Sequence, residues 1–362
     1  MAGLYIHIPF CRSRCIYCGF YSTIALKLRQ RYVDAVCREW EMRKHELSEP
    51  IDTIYLGGGT PSQLTTRQLA QLFSVLPDTA REVTIECNPD DVSAEYADAI
   101  AQLPINRVSM GVQTFDDRRL HFLNRRHTAI QVQRAVDHLR AAGIANISAD
   151  LMYGFPDETL EEWQDDIERV LALDVEHISA YCLMVEEGTA LHRMGISPCD
   201  EETERQMYDI LINRLTAAGY EHYEISNFAR PAYRSRHNSS YWHDIPYVGL
   251  GAAAHSYVGD HRLWNTSDIR QYITAIEQNG RCSEQELIDE DTHYNDCITV
   301  ALRTSDGLDL TTLSERHRQY CLQEAQRFLS DGLLQLDGQR LTLTRKGLFV
   351  SDYIMASLIF VR

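Results

Sequence analysis

A chain of 362 residues, 44% hydrophobic and 24% charged, has room for one barrel-sized domain and a smaller companion, with the composition of an ordinary globular protein. Its formal net charge of −17 repels phosphate backbones, so nucleic acid is not expected as a partner. Ten cysteines are too sparse at this length for a disulfide scaffold, which implies a reducing compartment.

The N-terminus has neither a basic stretch nor a long apolar run, so it does not read as a signal peptide. The small-residue run at 249–254 is far too short to span a bilayer. A cytoplasmic protein is expected, with membrane contact at most peripheral. The first apolar run, Leu4–Pro9, reads as a buried strand and leads into Cys11-Arg-Ser-Arg-Cys15-Ile-Tyr-Cys18. Thiolates so spaced hold an iron–sulfur cluster or zinc. Zinc asks for a fourth Cys or His at knuckle spacing, and no paired C-x2-C follows downstream. The expectation is a [4Fe–4S] cluster on Cys11, Cys15 and Cys18 with one iron left open; zinc and buried structural thiols are the alternatives.

Next, Tyr32, Val33, Val36, Cys37 and Trp40 fall on one helical face. Five further apolar runs read as strands: Thr53–Leu56, Val83–Glu86, Arg107–Val112, Asn146–Met152 and His177–Leu183. Thr159 and Glu162 form a capping box ahead of the stripe Trp163, Ile167, Val170 and Leu171. Six β/α units predict an α/β fold, a partial (β/α)6 TIM-type barrel over residues 1–220. Chemistry in such barrels sits where the strands end. Those ends carry the cysteine loop, Gly57-Gly58-Gly59-Thr60, Glu86 and Gln113, with Asp150 on the fifth strand.

After residue 220 the alternation breaks. Residues 221–282 read as an accessory segment closing the barrel, with the run Arg236-His-Asn-Ser-Ser-Tyr-Trp242. Residues 283–362 read as a smaller, mostly helical, winged-helix-like domain, in which Asp337-Gly338 between alternating runs signals a hairpin. The seven scattered cysteines (Cys37, Cys87, Cys182, Cys199, Cys282, Cys297 and Cys321) read as inert or buried thiols.

The cysteine loop ahead of a partial barrel resembles the radical S-adenosylmethionine (SAM) proteins. Longer stretches are similar to one branch, the HemW heme chaperones, relatives of oxygen-independent coproporphyrinogen III oxidase. They are Tyr5-Ile-His-Ile-Pro-Phe-Cys11, Gly57-Gly-Gly-Thr-Pro-Ser62, Arg107-Val-Ser-Met-Gly-Val-Gln113, Asp150-Leu-Met-Tyr-Gly154, Tyr223-Glu-Ile-Ser-Asn-Phe228, His237-Asn-Ser-Ser-Tyr-Trp242 and Leu341-Thr-Leu-Thr-Arg-Lys-Gly347. The resemblance implies that SAM contacts Tyr5, Gly58, Gly59, Thr60, Glu86, Gln113, Arg125 and Asp150; Tyr17, just before the last cysteine, suits a residue flanking the adenine or else a core tyrosine. The resemblance also implies heme on His237, Asn238, Tyr241 and Trp242, with His237 as axial ligand. Heme-acceptor proteins and an electron donor follow as partners.

Two plainer readings remain open. His237–Trp242 also fits a hydrogen-bonded segment closing the barrel, and Arg125 also fits solvated surface. The oxidase branch extends its motif to C-x3-C-x2-C-x-C, whereas here Phe20 stands in the fourth position. Chaperone is therefore the leading reading and oxidative decarboxylation of coproporphyrinogen III the rival. A radical enzyme modifying tRNA or a small molecule is disfavoured by the acidic charge. Anaerobic reconstitution should load about four irons and four sulfides per chain. Cys11→Ala, Cys15→Ala and Cys18→Ala should each lose them, and Cys37→Ala should not.

Overall fold

The computed structural model describes residues 1–361. Six parallel strands follow the apolar runs: β1 (Ala2–Ile8), β2 (Ile51–Gly58), β3 (Glu82–Cys87), β4 (Arg107–Gln113), β5 (Asn146–Tyr153) and β6 (His177–Cys182). They pair in chain order. Leu4, Ile6 and Ile8, alternate residues of β1, share one face and are fully buried, while Tyr5 and His7 lie on the other. Between the strands lie the helices Arg29–Arg43, Thr66–Phe73, Ala94–Ile100, Ala129–Ala141 and Leu160–Ala172. The last begins at the Thr159–Glu162 capping box, whose two reciprocal hydrogen bonds both form.

The barrel stays open, and both edges are extended by short strands that periodicity did not reveal. These are β7 (Glu221–Glu224), β8 (Asn227–Ala229), β9 (Tyr247–Leu250), β10 (His255–Val258), β11 (His261–Asn265) and β12 (Ser283–Leu287). β8 runs antiparallel to β6, while β9 runs parallel to β1, giving the order β12-β11-β10-β9-β1-β2-β3-β4-β5-β6-β8-β7. Between the two flanks, the short helix Arg236–Trp242 crosses beneath the barrel. Glu82, the first residue of β3, accepts from the backbone N–H groups of Arg236 and His237 at 3.0 and 2.9 Å.

The helix Arg29–Arg43 buries more than the apolar face read from the sequence. Glu39 and Arg43, one turn apart, are both buried and paired at 3.2 Å. The Glu39 carboxylate also accepts from Gly251 N–H, Asn265 Nδ2 and the Tyr272 hydroxyl at 2.7–2.8 Å. Arg43 donates to Gly249 O at 2.7 Å and to Ser256 Oγ at 2.9 Å. This pair fastens the β9–β11 flank to the barrel.

The C-terminal part has its own apolar core, including Tyr294, Ile298, Leu308, Phe328, Leu341 and Ile354. Helices Glu290–Ala301 and Glu315–Ser330 pack against β13 (Leu308–Asp309), β14 (Leu334–Asp337) and β15 (Arg340–Leu343). Asp337 pairs with Arg340 across a two-residue turn, and Gly338 supplies the left-handed φ of 58° that the turn needs. Among the described residues no helix is long and apolar enough to cross a membrane. All ten cysteines are free; Cys87 and Cys321 are buried and Cys282 is exposed. Removing the Glu39 carboxylate leaves Arg43 with Glu46 at 2.8 Å as its remaining carboxylate partner and orphans the donors of Gly251, Asn265 and Tyr272 in a buried site. Glu39→Ala should therefore lower unfolding free energy by about 3–5 kcal/mol in denaturant titrations, well beyond a surface pair such as Arg31–Glu277.

Candidate functional site

The cysteine loop leaves β1 and folds back so that Thr23 bridges Phe10, with Cys11 N–H donating to Thr23 O at 2.9 Å. Two outside anchors hold its middle. Ile16 N–H donates to Leu123 O, and Ile16 O accepts from Leu191 N–H. Cys11, Cys15 and Cys18 are all half-buried at the barrel mouth. Burial is the largest influence on Cys11 and Cys18 and pushes both thiols up. Cys11 Sγ lies 3.4 Å from Thr60 Oγ1, which joins the cysteine loop to the glycine loop after β2.

The glycines are required first by packing. A Cβ on Gly59 would stand 2.6 Å from the Pro9 carbonyl carbon, and one on Gly58, at φ 107°, would strike the His7 ring at 2.3 Å. A Cβ on Gly57 would meet Glu86 at 2.9 Å. Only bare backbone lets the end of β2 lie against β1 here.

Arg125 is not solvated surface. Its guanidinium sits beside Cys15, with Nη1 3.7 Å from Sγ, and Nη2 donates to Asn88 Oδ1 at 2.8 Å and to Gly111 O. Nε is buried and meets no acceptor among the described residues. Gln113, at φ 69°, closes β4 with its amide near the same guanidinium, since a Cβ on Gly111 would touch both. Asn88 contacts Arg125 and Thr60 but escaped the sequence reading. The signal was available, because Asn88 directly follows β3. Tyr17 packs onto an apolar cluster that includes Leu123, Met152 and Phe155.

Two acids face the lumen below. Glu86 accepts from the Tyr55 hydroxyl at 2.9 Å and from Gly58 N–H at 3.0 Å. Burial, with Asp150 nearby, pushes it up to about 7 against those hydrogen bonds. Asp150 accepts from Ser109 and Ser148 hydroxyls at 3.2–3.4 Å, and burial pushes it up to about 6 against the pull of Arg107. Arg107, buried at the start of β4, is a second residue the sequence reading passed over. Tyr5 stands between the two ends, its hydroxyl 3.0 Å from His7 Nδ1 and its ring stacked on Tyr55 and His237.

The run from His237 to Trp242 lies at the opposite end from the thiols. His237 is fully buried, with Nδ1 2.8 Å from Thr53 Oγ1 and Nε2 2.8 Å from the Tyr241 hydroxyl. Burial, then Arg107, pulls the imidazole down to about 3, so it is neutral. As placed, neither ring nitrogen is free for an iron, and the axial-ligand expectation meets a residue that plugs the barrel floor. Asn238 and Trp242 are half-buried on the same helix, and Trp242 packs edge-on to Tyr223. His255 is exposed and stacked beside Trp264.

The Radical SAM superfamily model matches residues 5–170, and the HemN C-terminal domain model matches residues 288–350. The Lactococcus lactis heme chaperone HemW is 32% identical over 95% of this chain and 93% of its own length. The Bacillus subtilis heme chaperone HemW is 34% identical over 88% and 87%. The chain belongs to the HemW family. A solved radical SAM enzyme, the Escherichia coli coproporphyrinogen III oxidase HemN, superposes with a TM-score of 0.86, covering 99% of this chain and 90% of that one. At 22% identity that likeness shows the shared fold.

Radical SAM membership implies a [4Fe–4S] cluster and SAM, and the HemW-type mouth fits both. It offers three thiols with no fourth, an arginine with an orphaned Nε beside one of them, and two carboxyls held high by burial. Such acids are costly without a cation. A carboxyl raised in the folded state takes up a proton on folding, so stability falls as pH rises from about 4.5 through about 7. Glu86→Gln mimics the protonated form. The cluster-free variant should melt above wild type at pH 8 and level with it near pH 4.5; equal or lower melting at pH 8 would contradict the assignment.

Proposed function

We propose that this chain is a heme chaperone that carries a [4Fe–4S] cluster and SAM and hands heme to acceptor proteins in the cytoplasm. The observation that carries the reading is its near full-length similarity to proteins named heme chaperone HemW. Phe20, where the oxidase motif has its fourth cysteine, speaks against decarboxylation.

Cys11, Cys15 and Cys18 would hold the cluster, and Arg125 beside Cys15 would offset its negative charge. When bound, the cluster supplies one electron to SAM, drawn from an external donor. Gly58, Gly59 and Thr60 would present bare backbone and a hydroxyl to the methionyl group, and Tyr17 would give an aromatic wall for adenine. Glu86 and Asp150 would accept from the amine and ribose hydroxyls, while Tyr5 and Gln113 bound the pocket from β1 and β4.

Heme needs exposed apolar surface. Phe20 and Ile24 on the cysteine loop, and Met184 and Met194 after β6, are each more than half exposed. Their two segments are joined by the Leu191-to-Ile16 hydrogen bond. This surface supports heme docking at the mouth. The helix Arg236–Trp242 joins in only if its His237 bonds to Thr53 and Tyr241 open.

One anaerobically reconstituted, SAM-replete sample should bind about one heme per chain and leave coproporphyrinogen III unconsumed. Robust decarboxylation would overturn the chaperone reading in favour of the oxidase. Met184→Glu should weaken heme binding with iron content unchanged. His237→Ala should lower the melting temperature and leave the heme spectrum intact; a changed spectrum would show that this helix leaves its seat when heme binds.

A further inference from the structure

Away from the mouth, three side chains of different chemistry converge where the barrel meets the C-terminal part. Asp244 follows the helix Arg236–Trp242 by two residues and sits in a left-handed turn at φ 57°, held by Ile245 N–H donating to Ser240 O at 3.1 Å. His293 and Cys297 lie one turn apart on the helix Glu290–Ala301, so they share a face. His293 Nε2 is 2.8 Å from Asp244 Oδ2 and 3.8 Å from Cys297 Sγ. The three ligand atoms all lie within 4.8 Å of one another. No other group of three His, Cys, Asp or Glu side chains is so gathered among the described residues, the cysteine loop included.

We propose that Asp244, His293 and Cys297 form a zinc-class metal site joining the barrel to the C-terminal part. A tetrahedral zinc takes thiolate sulfur at about 2.3 Å and imidazole nitrogen or carboxylate oxygen at about 2.0–2.2 Å, so its ligand atoms stand roughly 3.3–3.8 Å apart. The histidine–cysteine spacing already matches, and the histidine–aspartate pair has to open by about half an ångström. A thiolate, an imidazole and a carboxylate select a borderline-soft divalent ion over magnesium or calcium. The Tyr257 hydroxyl, whose pKa is raised by burial and then by the Asp244 carboxylate beside it, stands ready to orient that carboxylate. Asp296, which also faces Cys297, is committed to Arg262 at 2.6 Å and stands outside the ligand set. Asp244 is exposed, which leaves an entry path and a fourth position open to water. On binding, the Cys297 S–H gives its proton to solvent and the sulfur bonds the metal. The ion would pin the segment directly after Trp242. The site shares no residue with the mouth and does not rest on the heme proposal.

The test uses the full chain with its cluster reconstituted, so that the cysteine-loop thiols are occupied. Zinc is titrated against a chromophoric chelator, and Cys297 alkylation is followed by peptide mass spectrometry with and without zinc. The expected result is about one further zinc per chain with affinity weakened roughly tenfold or more in His293→Ala, Asp244→Ala and the isosteric Cys297→Ser. Zinc should also shield Cys297 from alkylation in wild type and not in His293→Ala. No further zinc in wild type, or binding unchanged in all three variants, would overturn the proposal and leave a hydrogen-bonded cluster.

Discussion

The close approach of β1 to the end of β2 is the constraint on which the rest of the mouth depends. Gly59 N–H donates to Ile8 O at 3.0 Å, and Gly58 faces His7 with no room for a Cβ. Because these strands touch to their ends, the cysteine loop leaving one and the Gly-Gly-Thr loop leaving the other meet at Cys11 and Thr60. A larger residue at 58 or 59 would part the loops and move the thiols before it met any ligand.

Charge is arranged along the barrel axis at the expense of stability. Glu86 and Asp150 are held above the ordinary carboxyl range by burial, and Arg125 keeps an unpaired Nε beside Cys15. Each is unfavourable in the empty chain and favourable beside a cation or an anion, respectively. A site poised for ligands carries such strain, whereas the Glu39–Arg43 pair, also buried, satisfies both partners fully and acts as a structural tie.

The two ends of the barrel have opposite tasks. The open sheet leaves its floor exposed, and the helix Arg236–Trp242 fills it with a neutral histidine bonded through both ring nitrogens. Thr53, far away in sequence, meets one ring nitrogen and Tyr241, one turn along the same helix, meets the other, while the distant Glu82 accepts from the His237 backbone N–H. At the mouth, by contrast, Phe20 and Met184 form part of an exposed apolar rim.

Much of this was legible in contiguous sequence. The cysteine spacing, the six apolar runs, the Thr159–Glu162 box and the Gly338 turn are local patterns, each fixed by residues within a few positions of one another. Strand-end position also singled out Glu86 and Gln113. Tertiary structure alone decided the environment of Arg125, the buried Glu39–Arg43 tie, the sealing of His237 and the meeting of Asp244 with His293 and Cys297. Those outcomes join residues tens to hundreds of positions apart. A polar side chain looks the same in sequence whether it faces water or a partner, and only sheet order and register determine which partner arrives.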